Sequence, residues 1–107
     1  MPGDVRLVGG TSKCRGRLEV KYQRDWRPVD DWFDWNLKSS SVVCRELDCG
    51  SAVYTGRSYD FTDQPKWSIR YSCVGYEASL RECATMWSIP HAYPSHSYEV
   101  TCSGNKQ

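Results

Sequence analysis

Three groups of side chains in this 107-residue sequence have types and spacings that could do chemistry. Asp30, Asp31 and Asp34 cluster three carboxylates, and hard cations such as calcium take several oxygen ligands, so the cluster is a plausible start to a cation site. The plain alternative is a solvated acidic loop. Lys13, Arg15, Arg17, Lys21, Arg24 and Arg27 crowd one basic stretch. On a strand, Arg15, Arg17 and Lys21 share one exposed face and could meet polyanions such as bacterial surface polymers or sulfated glycans. Glu19 and Asp25 interrupt that strip, and an ordinary solvated strand face is the alternative. Trp32 and Phe33 sit among the acids, and Tyr59 and Phe61 lie in a later loop; exposed aromatics of this kind anchor protein interfaces.

Catalytic and zinc chemistry fit less well. There is no Gly-x-Ser-x-Gly elbow and no cysteine beside an evident base. Cys44-x4-Cys49 and His91-x4-His96 imitate a two-cysteine, two-histidine zinc set, but the pairs lie far apart and four other cysteines go unexplained. The chain is read as non-catalytic.

The totals bound what can position these groups. The length is that of one domain with a modest core. Six cysteines, an even number, favour a disulfide framework in an oxidising compartment. A net charge of +1 argues against a nucleic-acid binder. Mean hydropathy is −0.66, and no apolar run approaches a bilayer span, so no membrane insertion of this segment is expected. Met1-Pro2-Gly3 has no apolar stretch behind it and does not read as a signal peptide, so a signal or anchor is expected elsewhere in the parent. Neither Asn36 nor Asn105 has a hydroxyl two residues on, so no N-glycan is expected.

The organising element is the stretch Val42 to Gly50. Ser39, Ser40 or Ser41 is suited to cap a helix and Gly50 to close it, with Val42, Val43 and Leu47 on a buried face. Cys44 and Cys49 within one helix would point about 140° apart. Each must therefore reach a different, distant cysteine. Val5–Val8 reads as a short strand, and Arg17 to Tyr22 alternates as a half-buried strand with Leu18, Val20 and Tyr22 inward. Gln23-Arg24-Asp25 is the turn, Trp26–Val29 the returning strand, Ser51–Tyr54 a further strand and Thr55–Lys66 a long loop. Trp67–Cys73 alternates again. Gly75–Ala84 reads as a second short helix, Trp87–Ser97 as loop, and Tyr98–Cys102 as the last strand. The class is α+β: residues 1–4 a lead, 5–102 one domain, 103–107 a tail.

Val5 to Gly10, Gly16 to Val20, Val42 to Gly50, Cys73-Val74-Gly75-Tyr76-Glu77-Ala78-Ser79-Leu80-Arg81-Glu82-Cys83 and Val100-Thr101-Cys102, in that order, resemble the scavenger receptor cysteine-rich domain. The resemblance spans nearly the whole chain. It implies a small disulfide-rich domain in which a curved antiparallel sheet cradles one main helix, with a short second helix, in an extracellular module of cell-surface or secreted immune and scavenger proteins. It also implies the pairs Cys14–Cys49, Cys44–Cys102 and Cys73–Cys83. Trp35 matches a core tryptophan of the family. The eight-cysteine class carries a further bridge where this chain reads Val29-Asp30-Asp31 and His91-Ala92-Tyr93, whereas the six-cysteine class usually lacks the bridge made here by Cys14 and Cys49, so the chain fits neither class. Ligand-binding members hold a divalent cation with an acidic pair and a late acid; here Asp30, Asp31 and Asp34 stand in a shifted register and Glu99 alone remains of the late group.

The sequence thus predicts an extracellular ligand-binding module, monomeric in isolation. Its expected ligand is a protein, taken through loop aromatics. The alternatives are calcium-assisted recognition of polyanions and an accessory role in an extracellular enzyme. No cofactor is required, and calcium is the candidate.

Overall fold

The computed structural model describes residues 4–30, 35–60, 64–91 and 95–104. The clean alternation in the second strand sets the main sheet. β1 (Val5–Gly9) pairs antiparallel with β2 (Arg15–Tyr22), Leu7 opposite Leu18 and Val5 opposite Val20. All four side chains are buried, with Leu18 and Val20 at 0% and 1% exposure. On its other side β2 divides its pairing. Glu19–Tyr22 pair with β3 (Asp25–Pro28), and Arg15–Arg17 pair with β7 (Ser95–Cys102). β4 (Ala52–Asp60) then pairs along β7, giving the order β1-β2-β7-β4 with β3 beside the second half of β2. β5 (Lys66–Tyr71) and β6 (Ala84–His91) form a separate antiparallel pair.

α1 (Leu37–Glu46) covers one face of the main sheet. It starts earlier than the serines suggest. Asn36 is the cap, its side-chain oxygen accepting from Lys38 N at 2.9 Å and Ser39 N at 3.3 Å. Ser39 and Ser40 are buried inside the first turns, and Ser40 Oγ donates to Thr55 Oγ1 on β4 at 2.8 Å. A serine hydroxyl can meet a sheet hydroxyl as well as a helix end, and here the sheet claims it. The helix closes at Leu47, with Asp48 in the left-handed region at φ 59° and Cys49 N bonded to Cys44 O at 2.8 Å. Cys49 therefore lies beyond the helix, and the angle argued for two helical thiols does not apply to it. Gly50 (φ 82°), expected to close the helix, instead lies two positions beyond Asp48, which takes that role.

Three disulfides tie the layers together: Cys14–Cys49, Cys44–Cys102 and Cys73–Cys83. The first joins the β1–β2 connection to the helix end, the second joins the helix to the last strand, and the third closes the loop after β5. Trp35 sits between helix and sheet, its ring stacked on Tyr98 at 4.7 Å and its Nε1 donating to Ser40 Oγ and Thr55 Oγ1. Tyr22, Trp67 and Trp87 pack edge to face at one end of the core.

Three expectations are corrected. Thr55–Asp60 is not loop, because pairing with β7 carries β4 through Asp60. The polar composition reflects a strand wet on one face. Ala84–His91 is a strand and β7 begins at Ser95, so the loop expected over 87–97 is largely sheet. Pro90 falls where the β5–β6 register shifts, between the pairs Lys66–His91 and Ser68–Ser88, and an irregularity of this kind tolerates a residue without an N–H. The second helix shrinks to one 3-10 turn, Leu80–Cys83. Upstream of it Gly75 has φ 110°, and Glu77 turns its carboxylate back onto Val74 N and Gly75 N, which replaces helical bonding with a local turn.

Candidate functional site

Alternation on β2 sends Leu18 and Val20 toward α1 and sends Arg15, Arg17, Glu19 and Lys21 to the opposite, outer face of the sheet. The register completes that face, since directly paired residues point the same way. Val8 stands opposite Arg17 from β1, and Glu99 opposite Arg17 from β7. Thr101 stands opposite Arg15, Tyr54 opposite Thr101, and Gly56 opposite Glu99. The result is a cleft of about 610 Å³ lined by Val8, Arg15, Arg17, Tyr54, Glu99 and Thr101, together with glycine backbone from the β1–β2 connection. A volume in this range suits a small ligand.

The charges in and beside the cleft are unevenly satisfied. Glu19, only 4% exposed, holds Arg6 at 2.6 Å and Arg17 at 3.4 Å. Arg6 also lies 4.3 Å over the Trp26 ring, with Lys21 Nζ 5.8 Å from the same ring. Arg15 and Glu99 have no ion-pair partner among the described residues. Arg17 Nε is buried without a hydrogen-bond partner. An unsatisfied buried donor costs free energy until something accepts from it. The Tyr54 ring, half exposed, lies across Gly56, where an added Cβ would run into its hydroxyl end. A side chain at position 56 would displace that ring.

Of the residues singled out from the sequence, Arg15, Arg17 and Glu99 come together here. Lys21 lies further along β2, beside Trp26. Tyr59 is elsewhere, exposed on β4 with its ring edge-on to His96 at 5.2 Å. Asp30 is fully buried; its Oδ2 accepts from Ser68 Oγ at 2.6 Å and its backbone N donates to Trp67 O. Lys66, on the same strand as Ser68, is fully buried too. Asp31, Asp34, Trp32, Phe33 and Phe61 lie outside the described residues. Val8, Tyr54 and Thr101 were not singled out. Each sits in a stretch read as strand, but only the register shows that they face the arginines.

Among the described residues one group, Cys73, Glu77 and Cys83, brings metal-type ligand atoms within 4.8 Å of one another. Both sulfurs are joined in a disulfide, so neither can supply a thiolate. The same bonding removes Cys44 and Cys49 from any zinc set.

The scavenger receptor cysteine-rich domain model matches residues 8–103. The chain belongs to the scavenger receptor cysteine-rich family. It is 46% identical over 86 residues to the CD5 antigen-like protein of Mus musculus, covering 78% of this chain and 24% of that protein. It is 33% identical over 103 residues to T-cell differentiation antigen CD6 of the same organism, covering 95% of this chain and 15% of that one. The chain thus spans a quarter or less of the length of these relatives. Among solved structures, the third scavenger receptor cysteine-rich domain of murine neurotrypsin superposes with a TM-score of 0.72 at 25% identity, covering 97% of this chain and 99% of that one. This scavenger receptor cysteine-rich domain is extracellular, as in its CD5-like and CD6 relatives, and its three disulfides suit that compartment. Among the described residues no helix is long and apolar enough to cross a membrane.

Proposed function

We propose that this extracellular receptor-type domain is a non-catalytic ligand-binding module that takes an anionic ligand on the outer face of its main sheet, with Arg15 and Arg17 as the anchors. The observation that carries this reading is the convergence of two guanidinium groups in one cleft, with Arg17 Nε buried and unpartnered. Guanidinium forks match carboxylate, sulfate and phosphate oxygens, and a partly desolvated arginine gains most from meeting one. Recognition of a protein through loop aromatics is the second reading; of its residues Tyr59 is exposed on β4, and Trp32, Phe33 and Phe61 lie outside the described residues. Calcium is not needed for the reading, because neither arginine requires a metal to bind an anion. As an accessory domain of an extracellular enzyme, the module would do the same work of attachment.

The test is binding of a sulfated glycan at several salt concentrations, with calcium and with chelator. The reading expects affinity that falls as salt rises, survives chelator, and is lost in the Arg15→Glu, Arg17→Glu double variant. Full affinity in that variant overturns it. Loss on chelation alone would instead return the role to Asp30, Asp31, Asp34 and Glu99.

A further inference from the structure

The cleft is not uniformly basic, and its mixture selects a narrower ligand. Arg15 and Arg17 supply two positive charges and Glu99 one negative, all lining the same space. A carboxylate only accepts hydrogen bonds, so the atom placed against Glu99 must be a donor. A polymer made wholly of acceptors, such as polyphosphate, meets repulsion there. A ligand with one acid group and several neighbouring hydroxyls satisfies both halves: acid to the guanidinium groups, hydroxyls to Glu99 and to Thr101, whose own hydroxyl both donates and accepts.

Tyr54 adds a third element. Its half-exposed ring borders the cleft and offers an apolar surface, while the hydroxyl end rests over Gly56. Apolar surface beside hydroxyl acceptors and an acid anchor is the complement of a pyranose ring, which has C–H groups on its faces and hydroxyls around its rim. The geometry points to a subsite for a single hexuronic-acid unit of a glycan. The acid sits on Arg15 and Arg17, the rim hydroxyls on Glu99 and Thr101, and a ring face against Tyr54. This rests on the anion-binding reading above and names its ligand class.

The experiment uses the whole domain and three probes by calorimetry: a hyaluronan hexasaccharide, maltohexaose as the neutral sugar, and inorganic polyphosphate. The wild type is expected to prefer the uronic oligosaccharide to both others. Tyr54→Ala lowers its affinity about tenfold, the order expected for one good contact. Gly56→Ala, which displaces the Tyr54 ring without removing it, lowers it in the same direction. Glu99→Gln lowers the ratio of uronic-oligosaccharide to polyphosphate affinity about tenfold, because the repulsion of the all-acceptor polymer is relieved. Thermal unfolding like that of the wild type confirms that each variant is folded. If Tyr54→Ala, Gly56→Ala and Glu99→Gln leave affinities and ratio unchanged, the sugar subsite is wrong. In that case the anion-binding reading still stands if Arg15→Ala with Arg17→Ala weakens every anionic probe. If that double variant also changes nothing, both readings fall.

Discussion

Arg17 and Glu99 stand directly opposite each other on β2 and β7, yet Arg17 makes its ion pair along its own strand, with Glu19 at 3.4 Å. Cross-strand opposite charges usually attract. Here Glu19 is the buried partner, held also by Arg6, and Glu99 is left facing the cleft. The outer face therefore keeps one carboxylate satisfied and one available.

Glu19 should consequently be both a structural and a tuning residue. Glu19→Ala removes the shared acceptor of two guanidinium groups and is expected to lower stability by about 1–3 kcal/mol. It also makes the face more positive, so affinity for polyphosphate should rise while the fold weakens. Chemical denaturation beside a polyphosphate titration checks both signs; unchanged stability would remove Glu19 from its place as the centre of the Arg6–Arg17 pairing.

The disulfides are not equal. In the chain-entropy picture, Cys44–Cys102, at a sequence separation of 58, contributes about 4 kcal/mol, and Cys73–Cys83, at a separation of 10, about 3 kcal/mol. Cys44 and Cys102 are both buried in the core, whereas of the other pair only Cys83 is, so replacing Cys44 and Cys102 with alanine removes more packing. The Cys44→Ala, Cys102→Ala variant should melt below the Cys73→Ala, Cys83→Ala variant, by thermal unfolding at equal concentration. The reverse order would mean that the loop after β5, not the helix tie, holds the domain together.

Two glutamates pull the pH dependence in opposite directions. Burial raises the Glu46 carboxyl above its ordinary 4.5, opposed by the hydrogen bond from Leu80 N, so its contribution is full below 4.5 and is lost as pH rises through the raised value. Backbone N–H groups, chiefly Val74, lower the Glu77 carboxyl, so its contribution is present above 4.5 and is lost as pH falls through the lowered value. Glu46→Gln, whose amide oxygen can still accept from Leu80 N, should raise stability at pH 7 and flatten the profile above 4.5. Glu77→Gln should lower stability at pH 7 and flatten the profile below 4.5. Unfolding free energies at a series of pH values read both slopes.

The β2–β3 turn holds Gln23 and Arg24 at φ 52° and 73°, both left-handed, between the paired residues Tyr22 and Asp25. A two-residue hairpin of this kind favours Asn-Gly. Replacing Gln23-Arg24 by Asn-Gly should relieve about 1 kcal/mol of strain. The rise in melting temperature should leave binding on the outer face intact.

Much of this was legible from residue order. Arg17 to Tyr22 alternated, and β2 follows that alternation. The spacing of the motifs around Cys44, Cys73 and Cys102 carried the family. What failed were places where tertiary pairing overrode local chemistry. Thr55–Asp60 looked like loop because its residues are polar and small, yet β7 supplied a partner strand. Asn36 took the capping role because Ser39 and Ser40 were drawn inward to Thr55 and the core. The cleft itself was half visible: Arg15 and Arg17 share a strand, but Tyr54 and Glu99 join them only through a register between strands distant in sequence.

The central claim is tested most directly by titrating a hyaluronan hexasaccharide into the wild-type domain and the Arg15→Ala, Arg17→Ala variant at fixed low salt. The account predicts measurable binding to the wild type that falls at least tenfold in the variant, which loses the Arg17–Glu19 pair but still unfolds cooperatively as a folded domain. Equal affinity in the two folded proteins would contradict it.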